Sequence, residues 1–354
     1  MLTVIEFWRL RSGQDARILA LVQYLARQCE LTLVFPVALA PGADLKIADV
    51  APGVQLAQLS LPTRGNIGDA LRAFADFFRV RPQQACIIQF LHLDWMRQAV
   101  PPGVLTLLDT HAVASEHERD VRRIGAGSPG AVTTAEQEAP RLQRFDRVLA
   151  ICQPDADTFT RWLGADRVLL VPHSHALHTH PQRRELQHLL MVGGDYAPNH
   201  EGLRWFMAEV WPRLTARGLQ FHVVGEVGPA HGLTSGDGVI VHGRVDDLAA
   251  RYAAADLCIN PVKHGSGLKI KTVEALAHGR PLVATLHGVR SLESHAGEAF
   301  LVADDGAAFA AAIERLIDDP DEAARLANAA ASLAAARFGA DACYGTLVRY
   351  LQQV

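Results

Sequence analysis

Two kinds of apolar pattern alternate along the chain. Short continuous runs of branched residues are typical of buried strands, whereas apolar positions three or four residues apart, such as Ile18, Leu21 and Leu25, indicate amphipathic helices. Ser12 and Asp15 have the spacing of a capping box at the start of that helix. Strands that alternate with helices predict βαβ units and a parallel sheet. In the first half, the predicted strands cover residues 2–7, 31–35, 54–59, 85–90, 104–109 and 147–151.

The same alternation starts again near residue 189, after a polar stretch without periodicity. It predicts a second α/β domain, with a helix over residues 200–216 for which Asn199 is the expected N-cap. The fold class is therefore two Rossmann-like, doubly wound parallel-sheet domains facing a cleft, with ligands at the carboxyl ends of the strands. The predicted strands of this half cover residues 189–192, 220–224, 239–242, 257–261 and 281–285.

The predicted domain limits follow from this pattern. Residues 1–170 form the N-terminal domain, 171–187 a linker and 188–330 the C-terminal domain. Residues 331–354 belong to an alanine-rich helical end, for which packing back on the N-terminal domain is one alternative.

Composition narrows the class of protein. Of the 354 residues, 49% are hydrophobic and 20% charged, which fits a packed chain rather than a disordered one. The net charge of −4 argues against a nucleic-acid-binding protein. The five cysteines are odd in number and lack a C-x-x-C pair, which excludes a disulfide framework and a zinc ribbon. Without a signal peptide or a long apolar run, we expect a cytoplasmic protein, with peripheral contact at the inner membrane face as an alternative.

Lysine is concentrated in one segment. The 34 basic residues include only four lysines, and three of those lie within residues 263–271. Gly265 and Gly267 permit a tight loop after a strand, and a helix is expected to start near Leu268. A helix N-terminus with Lys269 and Lys271 suits a diphosphate, and the carboxylate of Glu274 can accept hydrogen bonds from sugar hydroxyls. A solvated basic helix start is the alternative, but the whole set favours a nucleotide-sugar pocket.

Three segments carry a resemblance to a known family. Residues 263–285, 191–206 and 243–247 resemble the signatures of GT-B glycosyltransferases, in particular the retaining family 4 (group 1) and its bacterial polysaccharide branch. The resemblance implies transfer of a sugar, with retention, from a UDP- or GDP-linked donor to a sugar, lipid-linked or protein acceptor. It also implies a metal-independent, hexosyltransferase-type reaction without a cofactor, because basic side chains take the role of a metal at the diphosphate.

The resemblance also assigns roles to residues of the C-terminal half. Glu274 corresponds to the second glutamate of the family's E-x7-E motif, which binds the donor ribose, and Lys269 and Lys271 match basic positions. The first glutamate is absent, because Ser266, or His264 in the other alignment, occupies its position. Further donor-binding positions are Gly193 and Gly194 near the diphosphate, Arg244 and Val245 at the base, the loop residues His264, Gly265, Ser266, Gly267 and Leu268, and Asn199 at the phosphate edge.

The N-terminal half offers a looser match. Gly13 follows the first predicted strand and fits either a turn or the family's glycine loop. His111 lies just after the strand at 104–109, where the family has a histidine facing the donor sugar, and Asp109 is placed to orient it. With Lys269 and Glu274, His111 completes the predicted catalytic set.

The linker contains four histidines, His173, His175, His178 and His180. No regular element is predicted around them and no cysteine lies near them, so we expect no metal there. Two other functions remain as alternatives: a degenerate GT-B domain that binds a nucleotide without transfer, and a sugar-nucleotide epimerase or phosphorylase.

Overall fold

The computed structural model describes residues 1–59, 66–125, 133–181 and 183–353. The chain forms two compact units. Unit 1 consists of Met1–Glu118, Gly130–Ser174 and Ala340–Val354, and unit 2 of His175–Gly339 with the short segment Arg119–Pro129. Each unit contains a parallel sheet covered by helices, so the predicted pair of Rossmann-like α/β domains is confirmed.

The sheet of unit 1 is parallel in every pairing described. Strands β1 and β2 form one part, and β3 to β6 follow in chain order. Leu2 lies between the two parts and pairs with Val34 and with Ile88. The strands are β1 (Thr32–Phe35), β2 (Gln55–Gln58), β3 (Ala85–Gln89), β4 (Leu105–Asp109), β5 (Arg147–Ala150) and β6 (Val168–Leu170).

The predicted strand at 2–7 is wrong beyond its first residues. The hydroxyl of Thr3 accepts a hydrogen bond from the backbone N–H of Ile5 at 3.1 Å, which turns the chain away from the sheet. A 3₁₀ turn, Phe7–Arg9, then leads to helix α1. The hydroxyl of Ser12 caps that helix by accepting from the N–H of Asp15 at 3.3 Å. The helices that lie wholly or partly in unit 1 are α1 (Gly13–Leu25), α2 (Ala43–Val50), α3 (Ile67–Val80), α4 (Ala114–Arg123), α5 (Ala135–Leu142), α6 (Gln153–Leu163) and α14 (Ala340–Leu351).

Unit 2 has a six-stranded parallel sheet in the order β12-β11-β10-β7-β8-β9. The chain adds strands on one side of β7, then crosses to the other side, where β10 pairs with β7. The carboxyl ends of β7 and β10 therefore form the topological switch point, where open α/β sheets bind ligands. The strands are β7 (His188–Val192), β8 (Gln220–Val224), β9 (Val239–Gly243), β10 (Leu257–Asn260), β11 (Leu282–Ala284) and β12 (Leu301–Val302).

The helices of unit 2 bury their apolar sides against this sheet. Phe206, Phe221 and Phe309 pack together in its core with their ring centroids 4.8 and 6.0 Å apart along the series Phe221–Phe206–Phe309. The helices are α7 (Ala197–Trp205), α8 (Trp211–Leu214), α9 (Val227–Ala230), α10 (Leu248–Ala254), α11 (Ile270–Ala277), α12 (Gly306–Asp318) and α13 (Pro320–Phe338).

Three predicted boundaries are corrected. Helix α7 begins at Ala197 because Pro198 fits its first turn, so the N-cap is Tyr196 and not Asn199. Helix α11 begins at Ile270, two residues after Leu268. The predicted helix at 331–354 is two helices, because the backbone is extended at Gly339 between α13 and α14.

The described part of the predicted linker, residues 171–181 and 183–187, is neither helix nor strand. Its first four residues belong to unit 1 and the rest to unit 2. Helix α14, within unit 1, lies against α1, and Tyr24 donates a hydrogen bond to Asp341 at 2.7 Å. Among the described residues, no helix has both the length and the apolar character that crossing a membrane requires.

Candidate functional site

The loops that leave β7, β8 and β9 touch one another through glycine backbones. The N–H of Gly225 donates to the carbonyl of Gly243 at 2.7 Å, and the N–H of Gly193 donates to that of Val224 at 2.9 Å. A Cβ on Gly225, where φ is +95°, would lie only 2.2 Å from the carbonyl oxygen of Gly193. This close approach requires glycine at residue 225 and fixes the position of Gly193 at the switch point.

The loop after β10 is also shaped by glycine. Gly265 and Gly267 have φ values of +97° and +72°. A Cβ on Gly265 would meet the Tyr196 hydroxyl at 3.0 Å. The ammonium of Lys269 points back into this loop, where it donates to the carbonyls of Gly265 at 2.7 Å and Ser266 at 3.2 Å. Lys269 thus holds the loop closed, and its predicted contact with a phosphate stays a prediction.

The second lysine joins the two loops of the switch point. Lys271 donates to Oδ1 of Asn199, and Nδ2 of Asn199 donates to the carbonyl of Gly194 at 3.0 Å. Burial lowers the pKa of Lys271 to about 8, against the opposing charge of Glu274. Asn199 is therefore a link between Lys271 and the glycine pair, a role that its position in the sequence suggested only in outline.

Glu274 is buried near the middle of α11. Its Oε2 accepts a hydrogen bond from the hydroxyl of Tyr252, on α10, at 2.8 Å. Burial raises the pKa of Glu274, while His175, the Tyr252 bond and Lys271 act in the opposite direction. No sequence pattern indicated Tyr252, because it lies 22 residues before its partner and on another helix.

The buried side chain of Asn260 supports the loop that follows β10. Asn260, the last residue of β10, donates to Thr272 at 2.9 Å and to the carbonyl of Gly288 at 3.0 Å. His287 contacts the carbonyl of Gly265. Within the described part of the chain, the buried hydroxyl oxygen of Ser266 has no hydrogen-bond partner. Ser266 occupies the position of the missing first glutamate, and its predicted contact with the donor stays a prediction; His264, the other candidate, is half-buried.

Arg244 and Val245 lie beyond the carboxyl end of β9. They line an open cavity of about 570 Å³, together with His242, Asp246, Asp247, Ala250 and Arg251. Asp247 caps α10 by accepting from the N–H of Ala250 at 2.9 Å, which fixes one wall. The cavity is two strands away from β7, on the same edge of the sheet.

The predicted residues of unit 1 surround a buried ion pair. Arg17 donates to Oδ1 of Asp109 at 2.7 Å, and both side chains are fully buried. Nε2 of His111 lies 2.6 Å from Oε1 of Gln89 and 3.7 Å from Oδ2 of Asp109. Burial lowers the pKa of His111 to about 4, so its imidazole is neutral at pH 7. Asp109 thus pairs with Arg17, and Gln89 orients the imidazole.

Gly13 has an ordinary helical role. It is the first residue of α1, after the cap Ser12, and its φ is not in the left-handed region. Nothing in its backbone conformation requires a glycine. Both predicted roles of Gly13, a turn residue and part of the family's glycine loop, stay predictions.

Comparisons with known proteins agree with this geometry. Residues 187–319, which include both loops of the switch point, match the family described as Glycosyl transferases group 1. A protein of Klebsiella pneumoniae, described as an uncharacterized 44.6 kDa protein in a cps region, is 26% identical over 183 residues, or 47% of this chain. The match spans 46% of that relative's length.

Several solved structures share the whole architecture. HepE of Anabaena, in complex with UDP, has a TM-score of 0.72 at 13% identity, with 97% of each chain covered. Sucrose-phosphate synthase of Thermosynechococcus elongatus has a TM-score of 0.69 at 19% identity, covering 97% of this chain and 93% of that one. The lipopolysaccharide outer core galactosyltransferase WaaB, in its apo form, has a TM-score of 0.64 at 13% identity, covering 99% and 98%. The chain has the GT-B fold, and the group 1 match supports a GT-B glycosyltransferase.

Proposed function

We propose that the protein transfers a hexose, with retention, from a UDP-linked donor to a hydroxyl of a glycan or lipid-linked acceptor. The observation that carries the proposal is the group formed by Lys271, Asn199 and Glu274 at the switch point of unit 2. At this edge of the sheet, the ammonium of Lys271, held by the amide of Asn199, complements the negative charge of a diphosphate. The buried carboxylate of Glu274 can accept hydrogen bonds from the hydroxyls of a nucleotide sugar.

The diphosphate lies, in this proposal, between the glycine pair and the start of α11. Gly194 lies just beyond the end of β7, next to Gly193, whose N–H is bonded to the carbonyl of Val224, and the N-terminus of α11 favours an anion. The ammonium of Lys271 exchanges its bond to Asn199 for a phosphate oxygen. As the glycosidic bond breaks, negative charge grows on the leaving diphosphate, and these fixed groups stabilise it.

The nucleoside extends from the diphosphate toward α10. The hydroxyl of Tyr252 is bonded to Oε2 of Glu274. This leaves Oε1 to accept hydrogen bonds from the ribose hydroxyls. The base occupies the cavity lined by Arg244 and Val245. UDP is the favoured nucleotide because the HepE structures that share the fold contain UDP or UDP-glucose; GDP is the alternative.

For the sugar, the proposal keeps the roles predicted for His111 and Ser266. The neutral imidazole of His111, oriented by Gln89, can bond a hydroxyl without adding charge. The hydroxyl of Ser266 can accept or donate where the family has a carboxylate. We assign no protein nucleophile and no metal to the reaction. The relative from a cps region favours a polysaccharide pathway. We place the reaction in the cytoplasm, with peripheral contact at the inner membrane face as the alternative.

The first test compares nucleotides and then donors. UDP should raise the melting temperature of the full chain more than GDP does, because a ligand of the folded state stabilises it. UDP-sugars should then release UDP in the presence of an acceptor, and NMR of the product should show the anomeric configuration of the donor.

A matched pair of variants locates the site. Glu274→Gln should abolish the stabilisation by UDP, whereas Glu293→Gln, an exposed glutamate of the same unit, should not change it. UDP binding without turnover on any donor would favour the degenerate binding protein, and an epimerised sugar nucleotide would favour the epimerase. Equal stabilisation in both variants would refute the site.

A further inference from the structure

A group of histidines lies at the C-terminal end of α11, outside the residues assigned to the donor. His175, His178 and His278 each place one ring nitrogen within 4.8 Å of the others. Two of them come from the start of unit 2, and His278 follows the last residue of α11. The long separation in sequence explains why the linker histidines alone did not indicate this group.

The backbones of these residues are anchored. The N–H of His178 donates to the carbonyl of Ala277 at 2.9 Å, and that of His175 donates to Phe338 at 3.0 Å. The N–H of His278 donates to Glu274 at 2.9 Å within the helix end. The described linker residues form no helix or strand, as predicted, but these bonds to the ends of α13 and α11 anchor His175 and His178. The rings of His178 and His278 are stacked, with their centroids 4.0 Å apart and their planes 4° apart, so both rings must rotate before their nitrogens point at one ion. Nitrogens in a tetrahedral zinc site are about 3.4 Å apart.

Two of the three rings make hydrogen bonds of their own. Nδ1 of His278 is hydrogen-bonded to Nε2 of His180 at 2.9 Å, and Nδ1 of His175 to the carbonyl of Ala176 at 2.8 Å. The carbonyl of Ala176 can only accept, so Nδ1 of His175 carries the proton, and a bond of this kind to a backbone carbonyl is common for histidines that bind metals.

We propose that His175, His178 and His278 bind a single first-row transition-metal ion, with zinc as the physiological candidate. A ligand set of imidazoles alone suits Zn²⁺, Ni²⁺, Co²⁺ or Cu²⁺ and not the oxygen-seeking Mg²⁺ or Ca²⁺. The ion ties the segment that begins unit 2 to the end of α11. It is a structural site, separate from the groups proposed for the diphosphate, and it does not depend on the proposed function.

The test uses the full chain after dialysis against a chelator. Calorimetry should show one Zn²⁺ per chain, and Co²⁺ should give the visible absorption of a low-coordinate nitrogen site. His178→Gln and His278→Gln should each weaken Zn²⁺ binding by about tenfold or more. His188→Gln is the matched control. Nδ1 of His188 lies 3.1 Å from Nε2 of His222, in a different group of histidines, so this variant should bind Zn²⁺ as the parent does.

Two further readouts separate loss of ligands from loss of fold. The metal-free variants should melt within a few degrees of the metal-free parent, and Zn²⁺ should raise the melting temperature only of the parent and of His188→Gln. The Co²⁺ spectrum of the parent needs no variant at all. Absence of binding to the parent, or equal affinity in all three variants, would overturn the proposal.

Discussion

The hydroxyl of Tyr252 donates a hydrogen bond to Oε2 of Glu274 at 2.8 Å, and both side chains are buried. This bond fixes the carboxylate that we propose for the ribose. The ring of Tyr252 is itself stacked on His278, with centroids 4.7 Å apart. The position of Glu274 is thus set from the neighbouring helix, by a side chain that does not touch the nucleotide in our proposal.

Removing only the hydroxyl of Tyr252 should weaken nucleotide binding. Tyr252→Phe keeps the stacked ring, and we expect the Kd for UDP to rise about 2- to 10-fold, as the loss of one hydrogen bond implies. Calorimetry with UDP measures it. Tyr24→Phe, which removes an exposed hydrogen bond to Asp341 in unit 1, is the control and should leave the Kd unchanged. An unaltered Kd in Tyr252→Phe would mean that Glu274 does not depend on this contact.

The lowered pKa of Lys271 predicts a pH dependence. Since its pKa is about 8 in the free protein, the amine loses its charge as the pH rises through that value. Affinity for UDP should therefore be full near pH 7 and fall by roughly 10- to 30-fold by pH 9.5. The terminal phosphate of UDP is already ionised in this range.

The control for this prediction is a cation that does not titrate. Lys271→Arg keeps its charge throughout, so its Kd, whatever its value at pH 7, should stay flat up to pH 9.5. If the parent shows the same flat profile as Lys271→Arg, the ammonium of Lys271 does not contact the diphosphate.

Because Gly225 lies against Gly193, we expect a methyl group added at residue 225 to lower the free energy of unfolding strongly. Gly225→Ala brings left-handed strain of about 1–2 kcal/mol and also a steric clash with the carbonyl of Gly193. Gly297→Ala has the same strain, with φ at +80°, but nothing within 4 Å of the new Cβ. We expect Gly225→Ala to lower the free energy of unfolding by about 1–3 kcal/mol more than Gly297→Ala in urea titrations. An equal loss of unfolding free energy in the two variants would show that the loops that contain Gly193 and Gly225 can move apart without cost.

The buried ion pair of unit 1 predicts a stability effect with a defined sign. Burial opposes ionisation of Asp109, but Arg17 and then His111 outweigh it and lower the pKa of Asp109. Asp109→Ala leaves Arg17 buried without a counter-charge, so the free energy of unfolding should fall by about 3–5 kcal/mol. Arg17→Met with Asp109→Leu should recover most of it. Asp76→Ala, which breaks the exposed pair with Arg79, should cost less than about 1 kcal/mol.

The same pair fixes the direction of the acid effect. Because the folded-state pKa of Asp109 is lowered, its contribution is complete above about pH 5 and is lost as the pH falls through the lowered pKa. Unfolding curves from pH 6 to pH 2 should lose less stability in the Met/Leu double variant than in the parent. An identical acid profile in both would contradict the assignment.

Sequence patterns predicted the strands well where a strand lies inside a sheet. Residues 85–90 and 104–109 are mainly apolar, and they form β3 and β4 with both faces buried. The pattern failed for residues 4–7, where the hydroxyl of Thr3 redirects a chain that is apolar enough to continue. It also missed β6 and β12, which have three and two residues and therefore no measurable period.

The site was predictable as a set of residues but not as a set of contacts. Glycines and lysines near the start of α11 indicated the loop, yet the sequence cannot show that the flexible side chain of Lys269 turns back on the carbonyl of Gly265. Tyr252 and His278 were missed because their partners lie far away along the chain or on another helix. Long-range pairs of this kind are set by packing, which periodicity does not encode.

The break at Gly339 has a practical consequence for dissecting the protein. Because α14 belongs to unit 1, with the hydroxyl of Tyr344 accepting from the N–H of Ser174 at 3.1 Å, unit 1 is discontinuous in the gene. A fragment that stops at residue 174 would expose the surface of α1 that α14 covers. Isolating this half in solution would need a circular permutant or co-expressed pieces.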